Sequence, residues 1–389
     1  MPLFDVSDFD SAQLPREMRI GQSEFTWFII EGSGRTSAGT RHLAILFCLH
    51  RTGPRLERPS RARAQLSSGE PRGLSALLAP LAIATDDRPL LMAAVYDLDN
   101  PEQPPRVVER TVEHADFDAA SFSGVSTCGS IRFSQFSAQT GAPEIPAAVR
   151  SFFAGGGFGA ALRLKLDDID IELFLRPAKP HVTYGPGGSP EIRHRDVVTS
   201  YVQRTRLDVV GQLRLSQGGR PETIESFVGQ ATQDHQWFKV TNPLLKWIWP
   251  HLRLDDGREL MGYVLRDSSA GRWASADDGR EIGRGGWLVE HDGRVVTLPT
   301  LDVRSVPEYD VRTSRGLVPT RFRVEVPEMG LALTLEHCVK TPYLPMRAFG
   351  SWLDAGAWEG PARIVEATDG VQGEAWVEVV NAATARLGS

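Results

Sequence analysis

The feature that most constrains this chain is a period-two alternation that can be counted residue by residue. Ala160, Leu162, Leu164 and Leu166 alternate with Ala161, Arg163 and Lys165; after Asp167-Asp168, Ile169, Ile171, Leu173 and Leu175 follow with Asp170, Glu172 and Arg176 among them. Successive side chains of a strand point to opposite faces, so this stretch reads as a half-buried hairpin. The pattern returns in Leu207/Val209/Gly211/Leu213/Leu215, Phe322/Val324/Val326, Leu331/Leu333/Leu335 and Ala375/Val377/Val379, each bounded by Gly, Pro or Asp. Asp292-Gly293, between Trp287-Leu288-Val289 and Val295-Val296, has the chemistry of a tight hairpin turn. Candidate helices are few and short, at Gly73 to Ala82 and Ile145 to Ala154. Many short strands with one wet and one dry face predict an all-β protein built of antiparallel sandwiches or barrels.

Length sets how many. A chain of 389 residues exceeds one small barrel, so two domains are expected. The alternation breaks at Tyr184 to Val198 (YGPGGSPEIRHRDVV), which predicts a division into 1–190 and 191–389. The 43 basic and 49 acidic residues give a net charge of −6 without long runs of one sign, which leaves no footprint for gripping nucleic acid. Arg55, Arg58, Arg61 and Arg63, among Pro and Ser between Thr52 and Glu70, read as a solvated loop. No apolar run is long enough to span a bilayer, and Met1 to Asp10 has neither a basic start nor an apolar core, so no membrane insertion is expected. Cys48, Cys128 and Cys338 lie far apart with no CxxC, which predicts a reducing, cytoplasmic setting.

Several chemistries lack their motifs. GxxxxGK[ST], GxGxxG between strand and helix, HExxH and GxSxG are all absent, and the nine His show no metal-ligand spacing. Gly155-Gly156-Gly157 precedes a strand and reads as a turn. Eight of nine Trp fall in the second half, and such rings fill a core or line an apolar pocket. One constellation combines them with ionisable groups: Asp234-His235-Gln236-Trp237-Phe238, then Trp247-Ile248-Trp249, then Leu260-Met261-Gly262-Tyr263 and on to Asp267. Parity puts His235 and Trp237 on one face of a strand, Asp234 and Gln236 on the other, and Tyr263, Leu265 and Asp267 together on the next. A buried carboxyl kept protonated beside indole rings could protonate an apolar substrate, or the same groups could form a structural network.

These residues resemble the AttH and carotenoid 1,2-hydratase (hydroxyneurosporene synthase) superfamily of double lipocalin-like proteins, which includes kievitone hydratase and fungal decalin-forming Diels-Alderases. The resemblance is carried by Ser200-Tyr201 with Thr205 to Gly211, by Asp234 to Trp237, Trp247 to Trp249, Asp256-Gly257 and Leu260 to Tyr263, and by Trp358 to Ala362 and Gly373 to Glu378. Glu24 to Phe28 and Gly185 to Gly188 add weaker likenesses in the first half. It implies two lipocalin-like β-barrels in tandem, no metal and no redox cofactor, and a hydrophobic small-molecule substrate. It implies catalytic roles for His235, Trp237 and Tyr263, with Asp234 and Asp267 both candidates for the acid. Trp27, Tyr201, Phe238, Trp247, Trp249, Trp352 and Trp358 would contact substrate. Phe238 stands where relatives usually have Gly. The leading expectation is an acid-assisted cyclase or isomerase acting on a polyene, terpenoid or polyketide; a hydratase and a non-catalytic lipid or pigment carrier are the alternatives.

Overall fold

The computed structural model describes residues 23–52, 90–111, 114–117, 121–126, 129–137, 145–153, 158–185, 191–194, 197–217, 220–240, 245–267, 276–313, 316–340, 342–345 and 356–381. The fold is all-β, with two curled antiparallel half-barrel sheets in tandem, as two lipocalin-like units require. The first holds β1 (Ser23–Thr36), β2 (Gly39–Thr52), β3 (Leu90–Asp97), β4 (Arg106–Thr111), β5 (His114–Phe117), β6 (Ser121–Ser126), β7 (Gly129–Ser137), β8 (Phe158–Leu166), β9 (Ile169–Pro177), β10 (His181–Thr183), β11 (Glu191–His194), β12 (Val197–Gln217) and β13 (Arg220–Val240). The second holds β14 (Leu245–Leu254), β15 (Glu259–Asp267), β16 (Glu281–Val289), β17 (Val295–Thr297), β18 (Asp302–Ser305), β21 (Arg321–Val326), β22 (Leu331–His337), β23 (Tyr343–Pro345), β24 (Gly356–Ala367) and β25 (Gly373–Asn381). Between β18 and β21, β19 (Val311–Thr313) and β20 (Gly316–Val318) pair as a separate hairpin. In each sheet the last strand returns beside the first, β13 on β1 and β25 on β14.

The counted alternation is β8 and β9, joined at Asp167-Asp168, where Asp167 takes a left-handed φ of 52°. Its dry face enters the first core with Phe28, Phe47, Leu207, Val209 and Phe227, and Arg163 and Glu172 pair at 2.9 Å on the wet face. The Asp292-Gly293 turn joins β16 and β17 as expected, with Gly293 at φ 85°. Within the candidate helix at Ile145 to Ala154, the described residues form a 3₁₀ segment, Ala147–Phe153, rather than an α-helix. The expected helix at Gly73 to Ala82, the Arg-rich loop, the Gly155 to Gly157 turn and Cys128 lie outside the described residues. Cys48 and Cys338 are free thiols. Among the described residues no helix is long and apolar enough to cross a membrane.

Sheet membership changes between β13 and β14, not at 190/191. β12 and β13, 21 residues each, pair throughout with one another and continue the first sheet, so the Asp-His-x-Trp segment belongs to that sheet rather than to the C-terminal half.

Three cores follow. One fills the inner face of the first sheet, one the inner face of the second, and a third lies between the sheets. The third contains Phe25, Ile29, Cys48, Met92, Tyr96, Tyr184 and Tyr201 from the first sheet and Trp249, Met261, Tyr263, Leu265, Trp287 and Trp376 from the second. Strands buried on both faces read as continuous apolar runs, which is why Leu43 to Leu49 and Leu91 to Tyr96 show no alternation.

Buried charge also joins the sheets. Lys179 Nζ donates to Glu259 Oε2 at 2.5 Å and to the carbonyls of Gly257 and Glu290, while Arg206 Nε lies 2.7 Å from Glu259 Oε1. Arg206 points across because the β12/β13 register shifts between Arg204 and Leu207. A second bridge sets Arg253 3.1 Å from both Glu31 and Glu374; burial outweighs the arginine and pushes the Glu31 carboxyl up to about 8.

Candidate functional site

Two cross-strand rows face the central core. In the first sheet, register aligns Met92, Cys48, Trp27, Asp234 and Gln203 across β3, β2, β1, β13 and β12. In the second it aligns Trp249, Glu378 and Glu359 across β14, β25 and β24. Trp27 and Trp247 lie beside these rows, packed on Ala357 and Val380.

Three carboxyls are thereby brought together, Asp234 and Glu359 buried and Glu378 half-buried. Asp234 Oδ1 accepts from Gln203 Nε2 at 2.7 Å and is bonded by the Tyr201 hydroxyl; the Tyr184 hydroxyl donates to Gln203 Oε1. Glu359 Oε1 accepts from Trp376 Nε1 at 2.9 Å, and its backbone carbonyl accepts from Tyr96 at 2.6 Å. Glu359 Oε2 is buried with no hydrogen-bond partner among the described residues. Glu378 accepts a bond from Trp247.

Desolvation disfavours the charged form of each. Burial pushes Asp234 up to about 7, against the bonds from Gln203 and Tyr201. Burial pushes Glu378 up to about 7, with the Asp234 charge adding to it. Glu359 is raised well above the carboxylate range by burial first, then by Glu378. Burial therefore favours the protonated form of Glu359, and Oε2 is its oxygen without a hydrogen-bond partner among the described residues. His251, whose Nδ1 lies 3.4 Å from Thr232, is held neutral by burial, its pKa pushed down to about 3.

The Asp234 shift has a stability consequence with a definite sign. Folding favours the protonated form, so the stability this group supplies is complete below about pH 4 and is lost as pH rises through about 7. Asp234→Asn should gain on the parent by roughly 2–4 kcal/mol between pH 4 and 8. Urea unfolding at both pH values checks it; a difference that stays constant would contradict the shift.

The structure brings together only part of the expected constellation. Tyr201, Tyr263, Trp249, Trp247 and Trp27 belong to the central core or pack on it, and Asp234 is tied to it through Tyr201. His235 is buried but has the parity of Ala231 and Phe28, on the inner face of the first sheet and opposite to Asp234. Asp267 sits at the end of β15, half-buried, 3.7 Å from Arg280 and apart from the three carboxyls. Trp358 packs into the second sheet's inner core. Trp237 and Phe238 lie on β13 opposite Ser200 and Thr199; their side chains, and all of Trp352, are outside the described residues.

Glu359 and Glu378 were not singled out from the sequence. The available signal was an acid between two apolar residues of one face, with Trp376, Glu378 and Val380 alternating against Ala375, Val377 and Val379.

Fold and site thus define a tandem lipocalin-like protein with an acidic, aromatic interior between its sheets. A family profile described as AttH-like matches residues 137–381, and the chain belongs to that family. Among solved structures it is similar to a Nitrosomonas europaea protein assigned as AttH, at 17% identity and TM-score 0.62, covering 99% of this chain and 98% of that one. It is also similar to kievitone hydratase from Nectria haematococca, at 14% identity and TM-score 0.57, covering 98% and 94%. At these identities the likeness is one of fold. No curated protein matches by sequence.

Proposed function

We propose that this protein is an enzyme that protonates an apolar polyene, terpenoid or polyketide between its two sheets and converts it by cyclisation or isomerisation. The observation that carries the reading is the set of carboxyls, buried Asp234 and Glu359 with half-buried Glu378, held by amide, indole and phenol groups. Glu359 supplies the proton from Oε2, and Asp234 and Glu378, raised by burial to about 7, reprotonate it for the next turnover. Trp27, Trp247 and Trp249 present ring faces to the positive charge that protonation creates. The residues that do this work are side chains of the chain itself, and the widely spaced free thiols fit a cytoplasmic setting.

Hydration is the second reading, favoured by the structural likeness to kievitone hydratase. Mass spectrometry of a lipophilic cell extract incubated with the protein separates the outcomes. A compound converted at unchanged mass supports cyclisation or isomerisation, and one gaining a water supports hydration. An unchanged extract from which one compound co-purifies with the protein would make it a carrier.

A further inference from the structure

A second polar pair lies in the central core. Nε2 of His194, on β11, is 2.6 Å from the Tyr263 hydroxyl on β15. The third strand involved, β16, makes room for both. A Cβ on Gly283 would fall 2.4 Å from His194 Nδ1, and one on Gly285 would fall 3.0 Å from the Tyr263 ring. From this pair a series of rings runs to the carboxyls: Tyr263 to Trp287 at 5.6 Å, Trp287 to Tyr184 at 4.9 Å, Tyr184 to Tyr201 at 5.4 Å, and Tyr201 on Asp234.

The direction of the hydrogen bond follows from burial. Tyr263 is 9% exposed and His194 is half-buried. If the imidazole donated, the buried phenol hydrogen would be left without the partner this bond provides, at a cost of about 1–3 kcal/mol. If the phenol donates, Nδ1–H of the half-exposed imidazole still reaches water. Burial also lowers the His194 pKa and favours a neutral ring with an accepting nitrogen. The phenol oxygen is then left with lone pairs to offer to the core.

We infer that Tyr263 and His194 form the proton exit of the reaction, at the opposite end of the aromatic series from the acid. The inference rests on the functional reading above. A protonation-initiated cyclisation or isomerisation ends when a C–H bond beside the cation breaks and its electron pair becomes a C=C bond. The released proton goes to the Tyr263 oxygen as the phenol's own hydrogen passes to His194 Nε2. The imidazolium then loses its Nδ1 proton to water, exchange with water returns the neutral ring to its Nδ1–H form with an accepting Nε2, and a proton taken from water restores Glu359 by way of Asp234 and Glu378. One proton enters and one leaves, so mass is unchanged. Tyr263 touches the substrate; His194 is a positioning residue that acts through it.

Nitrogen NMR of the full chain with ¹⁵N-labelled histidine, at pH 7 and without substrate, tests the pair. The signal is assigned by its loss in His194→Gln. The expected result is an unprotonated, accepting Nε2 whose shift moves in Tyr263→Phe and in Gly283→Ala, the latter altering neither partner. A hydrogen on Nε2 in the parent would overturn the inference. With the compound that the parent converts, Tyr263→Phe and His194→Gln should each turn over about 10²-fold more slowly. Full turnover by both removes the exit alone, whereas an extract unchanged by the parent removes the functional reading and the exit with it.

Discussion

Glu359→Gln should lower turnover by about 10²- to 10⁴-fold, the range a positioned general acid supplies. The substitution keeps an oxygen for the Trp376 indole and changes the buried volume little, so the protein should fold and still retain the substrate. The effect belongs to the rate of conversion rather than to binding. The arrangement of the site explains why Glu359 should outweigh its neighbours. Burial raises Asp234 and Glu378 to about 7 and Glu359 well above the carboxylate range, and of the three only Glu359 has a buried oxygen with no hydrogen-bond partner among the described residues. Extract conversion followed by mass spectrometry, with the retained compound quantified, checks both halves. A variant that converts at the parental rate would assign the proton elsewhere.

Lys179→Met should destabilise the fold by about 3–5 kcal/mol, because it removes one of the two cations that compensate the buried Glu259. Glu259 is fully buried and would keep only Arg206, while the carbonyls of Gly257 and Glu290 would lose their shared donor. An exposed pair would cost about 1 kcal/mol or less. Urea unfolding reads the difference, and a loss at that lower level would show that the triad is not holding the two sheets together.

The fold was legible wherever one face of a strand is wet. Ala160 to Leu175, Phe322 to Val326 and Leu331 to Leu335 alternate because solvent lies on one side, and period two then reports burial directly. The central core was hidden by the opposite circumstance. Leu43 to Leu49 and Leu91 to Tyr96 are dry on both faces, so no period marks which side faces the other sheet.

Parity separated Asp234 from His235 correctly, since it is a local property of one strand. Which sheet β13 joins depends on its pairing with β1, some two hundred residues away in sequence, and no local pattern records that. The motif was therefore placed with the wrong neighbours. Asp234 meets Glu359 and Glu378 only because two distant strand rows are brought face to face, and the pairing of Tyr263 with His194 likewise depends on glycines in a third strand. An acid between two apolar residues of one strand face is the trace that such a site leaves in sequence.

The most direct measurement is the infrared difference spectrum of the parent against Glu359→Gln at pH 7. A protonated-carboxyl carbonyl band present in the parent and missing from the variant is the predicted result, establishing a neutral acid between the sheets. A difference spectrum that shows only ionised carboxylate bands would contradict it, and with it the proposal that this interior protonates its substrate.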